Sequence, residues 1–247
     1  LNKMVTELGT IETMRTDFVA NVSHELKTPL SVVQNYCILL QNPDITGEER
    51  TQYVKSITEA TKRLTELINN ILKLNKLENQ QIFPEFSTVN LTESLCESIL
   101  LFEKEWDSRN IDLQTDIPDD IFLRGDGELL SLVWTNLLSN ALKFTPDGGT
   151  VAVRVKAYPK SITVSVSDSG CGIPPEALLH IFEKFYQADK SHSSQGNGLG
   201  LALVKRVVDI HGGKIAVGSK PVRYTADGSP DDTVAHGTTF SVTLFKG

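Results

Sequence analysis

The 247-residue sequence predicts a chain in two parts, an all-α helical hairpin over residues 1–83 and a mixed helix-and-strand region over 84–247. Two apolar rhythms carry the first part. Phe18, Val22, Leu26, Leu30, Val33, Cys37 and Leu40 recur at steps of three and four, and so do Ile57, Ala60, Leu64, Leu67, Ile71, Leu74 and Leu77. The second part is announced by short alternating runs, Thr150 to Ala157 and Ile162 to Asp168, interleaved with helical patterns.

Taken in order, Leu1, Met4, Leu8 and Ile11 hold heptad a/d positions. They read as a two-stranded coil arriving from upstream, with a frayed amphipathic tail as the alternative. The chain has no initiator methionine, so a fragment is expected. The first long helix should end near Gln41, where Asn42-Pro43-Asp44 breaks the pattern. Inside it Pro29 has no N–H for the Glu25 carbonyl, which predicts a bend just after His24. His24 follows Val22 by two residues and so projects away from the apolar stripe, with Thr28 one turn on along the same exposed face.

Thr46-Gly47-Glu48-Glu49 then supplies a capping box for the second helix. Two such helices cannot bury a core alone, and Ile68 and Leu72 widen the second stripe. A four-helix bundle built from two chains, a homodimer through residues 1–83, follows as the expected solution. Pro84 and the polar Glu78-Asn79-Gln80-Gln81 place the boundary after residue 83.

Beyond it, Leu91 to Arg109 reads as helix, then Ile111 to Asp116 and Ile121 to Arg124 as strands. Asp126 caps a helix to about Phe144 that turns Leu130, Val133, Leu137, Leu138 and Ala141 inward. The two alternating strands turn at Tyr158-Pro159-Lys160. A helix from about Gly198 to His211 exits at Gly212-Gly213, and strands at Lys214 to Val217 and Thr238 to Leu244 close the chain.

Composition narrows the function classes. A formal charge of −7 disfavours a nucleic-acid partner, and 40% apolar residues suit packed cores. Cys37, Cys96 and Cys171 show neither metal-type nor disulfide-framework spacing and read as reduced thiols of a cytosolic protein. No run reaches the length of a membrane span, and nothing resembles a signal peptide. His180 and His192 stand too far apart to suggest more than adventitious metal.

Three polar constellations remain. Asn136, Asn140 and Lys143 share one helix face; an amide oxygen can ligate Mg²⁺ and an ammonium can meet phosphate, although a solvated face is an alternative. Asp168-Ser169-Gly170-Cys171-Gly172-Ile173 follows a strand; it is either a plain turn or a carboxylate aimed at the exocyclic amine of adenine. Gly196-Asn197-Gly198-Leu199-Gly200-Leu201 opens a helix and suits phosphate. The polar run Glu183 to Gln195 before it reads as a mobile lid.

SHELKTPL around His24 closely resembles the phospho-acceptor box of sensor histidine kinases. The boxes downstream resemble, in order, the ATP-binding domain of the histidine-kinase, gyrase and mismatch-repair ATPase superfamily. The resemblance supplies the full fold: a dimerising helical hairpin followed by an α/β two-layer sandwich that binds ATP. It implies a catalytic set of His24, Glu25 and Thr28, with His24 as phosphate acceptor, Glu25 as base and Thr28 orienting water. It implies Mg²⁺ on Asn140, adenine on Asp168 and phosphates near Lys143. Asn136, Phe144, Gly170, Gly172, Ile173, Lys184, Gly196, Gly198, Leu199, Gly200, Leu201 and Thr238 complete the implied nucleotide site.

The implied partner is an aspartate on a response-regulator receiver domain, with phosphatase activity toward it. The implied location is the cytoplasmic portion of a protein anchored in the inner or plasma membrane. The sequence departs from the family at Gln187, where an arginine is frequent and where Lys184 or Lys190 can substitute only as point charges. Phe144 replaces a frequent tyrosine, and residues 218–236 form an unusually long connection. An ATP-gated machine without phospho-acceptor chemistry and a non-enzymatic ATP-binding scaffold are the competing readings.

Overall fold

A computed structural model of the protein describes residues 2–79, 84–188, 196–222 and 236–246, with side chains for Thr16 and from Phe18 onward within those ranges. The side chains of Leu1, Met4, Leu8 and Ile11, residues 189–195 of the 183–195 segment expected to form a lid, with Lys190 and His192, and residues 223–235 of the 218–236 connection lie outside the described residues.

The chain divides into two compact units, Leu1–Lys73 and Leu74–Gly247. The first is the hairpin of α1 (Asn2–Leu39) and most of α2 (Gly47–Glu78). Helix α1 runs through Pro29 without interruption of its helical assignment. Thr46 and Glu49 cap α2 reciprocally: the Glu49 amide donates to Thr46 Oγ1 at 3.2 Å, and the Thr46 amide donates to Glu49 Oε2 at 2.8 Å. Those Thr46 donors hold the Glu49 carboxyl below its ordinary pKa.

Tyr36 and Tyr53 meet across the hairpin with ring centroids 5.2 Å apart. Phe18, Val22, Leu26, Val33 and Leu40 are half-buried, while Leu30 and Cys37 are exposed in the single chain. A single hairpin has too little surface to cover them.

The second unit begins with the last turn of α2, where Leu74 and Leu77 are buried and Arg206 Nη2 donates to the Leu77 carbonyl at 2.8 Å. Strand β1 (Ser87–Asn90) leads into α3 (Leu91–Leu100) and α4 (Glu103–Ser108). β2 (Asp112–Asp116), β3 (Phe122–Gly125), α5 (Gly127–Phe144), β4 (Thr150–Ala157) and β5 (Ser161–Asp168) follow. A short 3-10 turn at Ala177–Leu179, α6 (Gly200–Ile210), β6 (Lys214–Lys220) and β7 (Gly237–Phe245) complete it.

The five-stranded sheet has the order β2-β4-β5-β7-β6, parallel only between β2 and β4. Inward residues alternate along it, Ile162, Val164 and Val166 on β5 and Phe240, Val242 and Leu244 on β7. Helices α5 and α6 pack on the sheet and α3 packs on α5, giving the α/β sandwich. β1 and β3 form a separate antiparallel pair; β3 corresponds to the strand expected at Ile121 to Arg124, whereas no sequence pattern marks β1 or the pairing.

The expected single helix over residues 91–109 is two helices. The chain tightens at Leu101 and Phe102, where the Phe102 amide donates to Ile99 O at 3.0 Å. The break lets Trp106 turn inward, buried, with Nε1 donating to Ile99 O at 3.3 Å. At the start of α5, Asp126 accepts from the Leu129 amide at 3.0 Å, as the N-cap reading expects.

Candidate functional site

On α1, His24 carries its imidazole 73% exposed, and Glu25 Oε1 lies 3.7 Å from its Nδ1. The Thr28 hydroxyl donates back to the His24 carbonyl at 3.4 Å. This backbone bond falls in the turn where Pro29 removes a donor from the Glu25 carbonyl. The histidine thus presents a largely solvent-exposed imidazole with a carboxylate beside Nδ1.

In the sandwich, α5 displays Asn136, Asn140 and Lys143 along one half-buried face, away from the buried Leu130, Leu137 and Leu138. Burial pushes the Lys143 ammonium below its ordinary pKa, and no carboxylate pairs with it among the described residues. It stands over the Phe144 ring at 4.6 Å. The Asn140 amide makes no side-chain hydrogen bond among the described residues. An ammonium desolvated without a counter-charge, next to an unbonded amide oxygen, suits an anion and its accompanying cation.

The loop after β5 is folded onto its own carboxylate. Asp168 Oδ1 accepts from the Gly170 amide at 2.9 Å and from the Thr238 amide at 3.2 Å. Burial raises the Asp168 carboxyl pKa, against the pull of those two donors and of His236. Gly170 must be glycine here, because a Cβ would lie 2.4 Å from the Phe144 carbonyl. That approach joins the end of α5 to the Asp168 loop.

The glycine-rich segment closes the other side. A methyl on Gly200 would meet Asn136 Oδ1 at 2.6 Å, and one on Gly196 would meet Lys143 Nζ at 2.8 Å. The Gly198 carbonyl accepts from the Phe185 amide at 2.9 Å. Leu199 is buried, and Leu201 lies half-buried in the first turn of α6. Ile173 donates its amide to Ser219 Oγ at 2.7 Å, and Ser219 Oγ also lies 2.9 Å from Thr238 Oγ1.

The fold therefore gathers Asn136, Asn140, Lys143, Phe144, Asp168, Gly170, Gly172, Ile173, Gly196, Gly198, Leu199, Gly200, Leu201 and Thr238 at adjoining ends of α5, α6, β5 and β7. Lys184 is engaged elsewhere, its ammonium 2.7 Å from Glu78 at the end of α2. Gln187 does reach the site, donating to the Gly196 carbonyl at 3.0 Å. Ser219 and His236 also line it, although no sequence motif marks them; neither belongs to a recognisable local pattern, and only strand pairing brings them there.

Among the described residues no cluster of His, Cys, Asp or Glu could hold a metal ion, and all three cysteines are exposed with no disulfide. No helix of the described residues is long and apolar enough to cross a membrane.

The structure thus combines an exposed histidine on a helical hairpin with an α/β sandwich whose helix and strand ends gather glycine-rich and polar segments. Residues 14–80 match the His Kinase A (phospho-acceptor) domain, and residues 125–247 match the histidine kinase-, DNA gyrase B- and HSP90-like ATPase domain. SenX3 of Mycobacterium tuberculosis, a sensor-like histidine kinase, is 36% identical over 214 residues, covering 85% of this chain and 52% of SenX3.

The solved structure of the mycobacterial sensor histidine kinase MprB is 30% identical, with a TM-score of 0.53, over 65% of this chain and 97% of that one. Full-length ShkA in complex with AMPPNP is 27% identical, with a TM-score of 0.64, over 93% of this chain and 46% of that one. The chain belongs to the sensor histidine kinase family, and it spans about half the length of SenX3.

Proposed function

We propose that this chain transfers the γ-phosphoryl group of ATP to His24 and then to an aspartate of a response-regulator receiver domain. The observation that carries the reading is the Glu25 carboxylate 3.7 Å from His24 Nδ1 on an otherwise solvent-facing ring. A neutral imidazole offers one unprotonated ring nitrogen as a nucleophile while the other carries the proton. Nε2 attacks the γ-phosphorus as the bond to the bridging oxygen of the departing ADP breaks. The Nδ1 proton passes to Glu25 as ring charge develops. Thr28 would orient the water that dephosphorylates the regulator.

Lys143 would meet phosphate oxygens, and Asn140 would supply Mg²⁺ with one neutral oxygen, leaving phosphates and water to complete its shell. Positioning and charge neutralisation are what a protein contributes to this chemistry. Both hydrogen bonds to Asp168 fall on Oδ1, so Oδ2 is left for the exocyclic amine of adenine. The AMPPNP held by ShkA supports ATP as ligand. Exposed Leu30, Ile38, Val54, Ile68 and Leu72 support a homodimer through the hairpin. The full-length protein would be membrane-anchored through a segment outside this chain.

Incubation with γ-labelled ATP and Mg²⁺ tests the reading. The expected result is acid-labile label on the wild type and none on His24→Gln or Asn140→Ala, with ATP still bound by His24→Gln. ATP hydrolysis without label would overturn it in favour of an ATP-driven conformational machine. Full labelling of Asn140→Ala would remove the Mg²⁺ assignment.

A further inference from the structure

The carbonyl of Gly170 is held by a side chain outside every motif that the sequence marks. His236 stands half-buried directly before β7, and its Nδ1 is 2.7 Å from the Gly170 oxygen. A carbonyl only accepts, so Nδ1 carries the proton in this contact. The amide of the same Gly170 donates to Asp168 Oδ1, and so does the amide of Thr238, two residues after His236.

Three hydrogen bonds thus close a ring through Asp168, Gly170, His236 and Thr238, with the carboxylate as its hub. The backbone between His236 and Thr238 fits tightly. Gly237 has φ 127°, and a Cβ there would stand 2.0 Å from the Asp168 carbonyl. The position of the loop after β5 is therefore set from β7. His236 supplies the one side-chain link in the ring besides Asp168 itself, and its charge when protonated favours the carboxylate form of Asp168.

We propose that His236 is a positioning residue for adenine: by holding the Gly170 carbonyl it fixes the 168–172 loop so that the Asp168 carboxylate meets the exocyclic amine of the base. The inference rests on the nucleotide reading of this site. It assigns the contribution of His236 to the base end of the ligand, so the effect is independent of the number of phosphates. The ligand class is adenine nucleosides and nucleotides as a whole.

Calorimetric titration of the 247-residue protein with ATP, ADP and adenosine tests it, alongside His236→Ala, His236→Asn and His236→Gln. His236→Ala should weaken all three ligands by the same factor, about two- to tenfold, the worth of one neutral hydrogen bond. In autophosphorylation the KM for ATP should rise by that factor with kcat unchanged. In His236→Asn the side-chain amide nitrogen takes the place of the imidazole Nδ1 and should restore affinity; His236→Gln carries its amide one bond further out and should not.

Unchanged affinity in His236→Ala would overturn the inference, as would a loss confined to ATP or a failure of His236→Asn to rescue. Thermal melts of each variant show that the comparison is among folded proteins. Absence of saturable ATP binding by the wild type would instead remove the nucleotide reading on which the inference rests.

Discussion

Among the described residues of Leu1–Lys73, only Ala60 and Leu67 are buried hydrophobics, whereas α5 alone buries eight residues in the sandwich. The hairpin leaves Leu30, Ile38, Leu39, Val54, Ile68 and Leu72 exposed, and a single copy cannot cover both sides of its stripes. The sandwich closes its own core between one sheet face and α3, α5 and α6. The difference divides the molecule: the hairpin that displays His24 leaves apolar surface uncovered, and a self-sufficient core holds the polar and glycine-rich segments of the sandwich in place.

Deleting core volume sharpens that contrast most. Leu138 is fully buried in α5, so Leu138→Ala should destabilise the sandwich by about 2–5 kcal/mol, independent of protein concentration. Leu72, 52% exposed on α2, should behave differently: Leu72→Ala should leave the sandwich transition in place and move only a concentration-dependent one. Calorimetry at two protein concentrations separates the two, and a concentration-dependent sandwich transition would break the comparison.

The pocket gives a prediction of intermediate size. Burial raises the Asp168 pKa, so the folded state holds that proton more tightly than the unfolded chain does. Stability is then greatest below the ordinary carboxylate pKa and declines as pH rises through the raised value. Once ionised, the buried carboxylate is a stability cost. Asp168→Asn keeps an oxygen for the Gly170 and Thr238 amides and removes the charge. ATP affinity should fall by about ten- to hundredfold, the worth of a charge-assisted hydrogen bond, while the melting temperature holds or rises. A drop in both would mean that the carboxylate is structural.

The smallest effect belongs to the hairpin. Thr46→Ala removes the hydroxyl that accepts from the Glu49 amide and should cost about 1 kcal/mol. The lowered Glu49 pKa contributes stability above the ordinary carboxylate value that is lost as pH falls through the lowered one. The Thr46→Ala penalty, measured by hairpin melting, should therefore shrink in acid.

Both long helices, the Thr46 and Asp126 caps, strands β4 and β5 and the spacing of Asn136, Asn140 and Lys143 were legible because each is set within a turn or a strand by neighbours in sequence. The glycine-rich and Asp168 segments were legible as resemblance, since close backbone approach restricts those positions to a few residue types.

Long-range packing decided the rest. It split the helix at Leu101 and Phe102 so that Trp106 could be buried, and it paired the expected strand β3 with β1, which has little pattern of its own. It joined Lys184 to Glu78 over 106 positions and His236 to Gly170 over 66. No local rhythm encodes such pairs, because their energy exists only once sheet and helices have brought the backbone together.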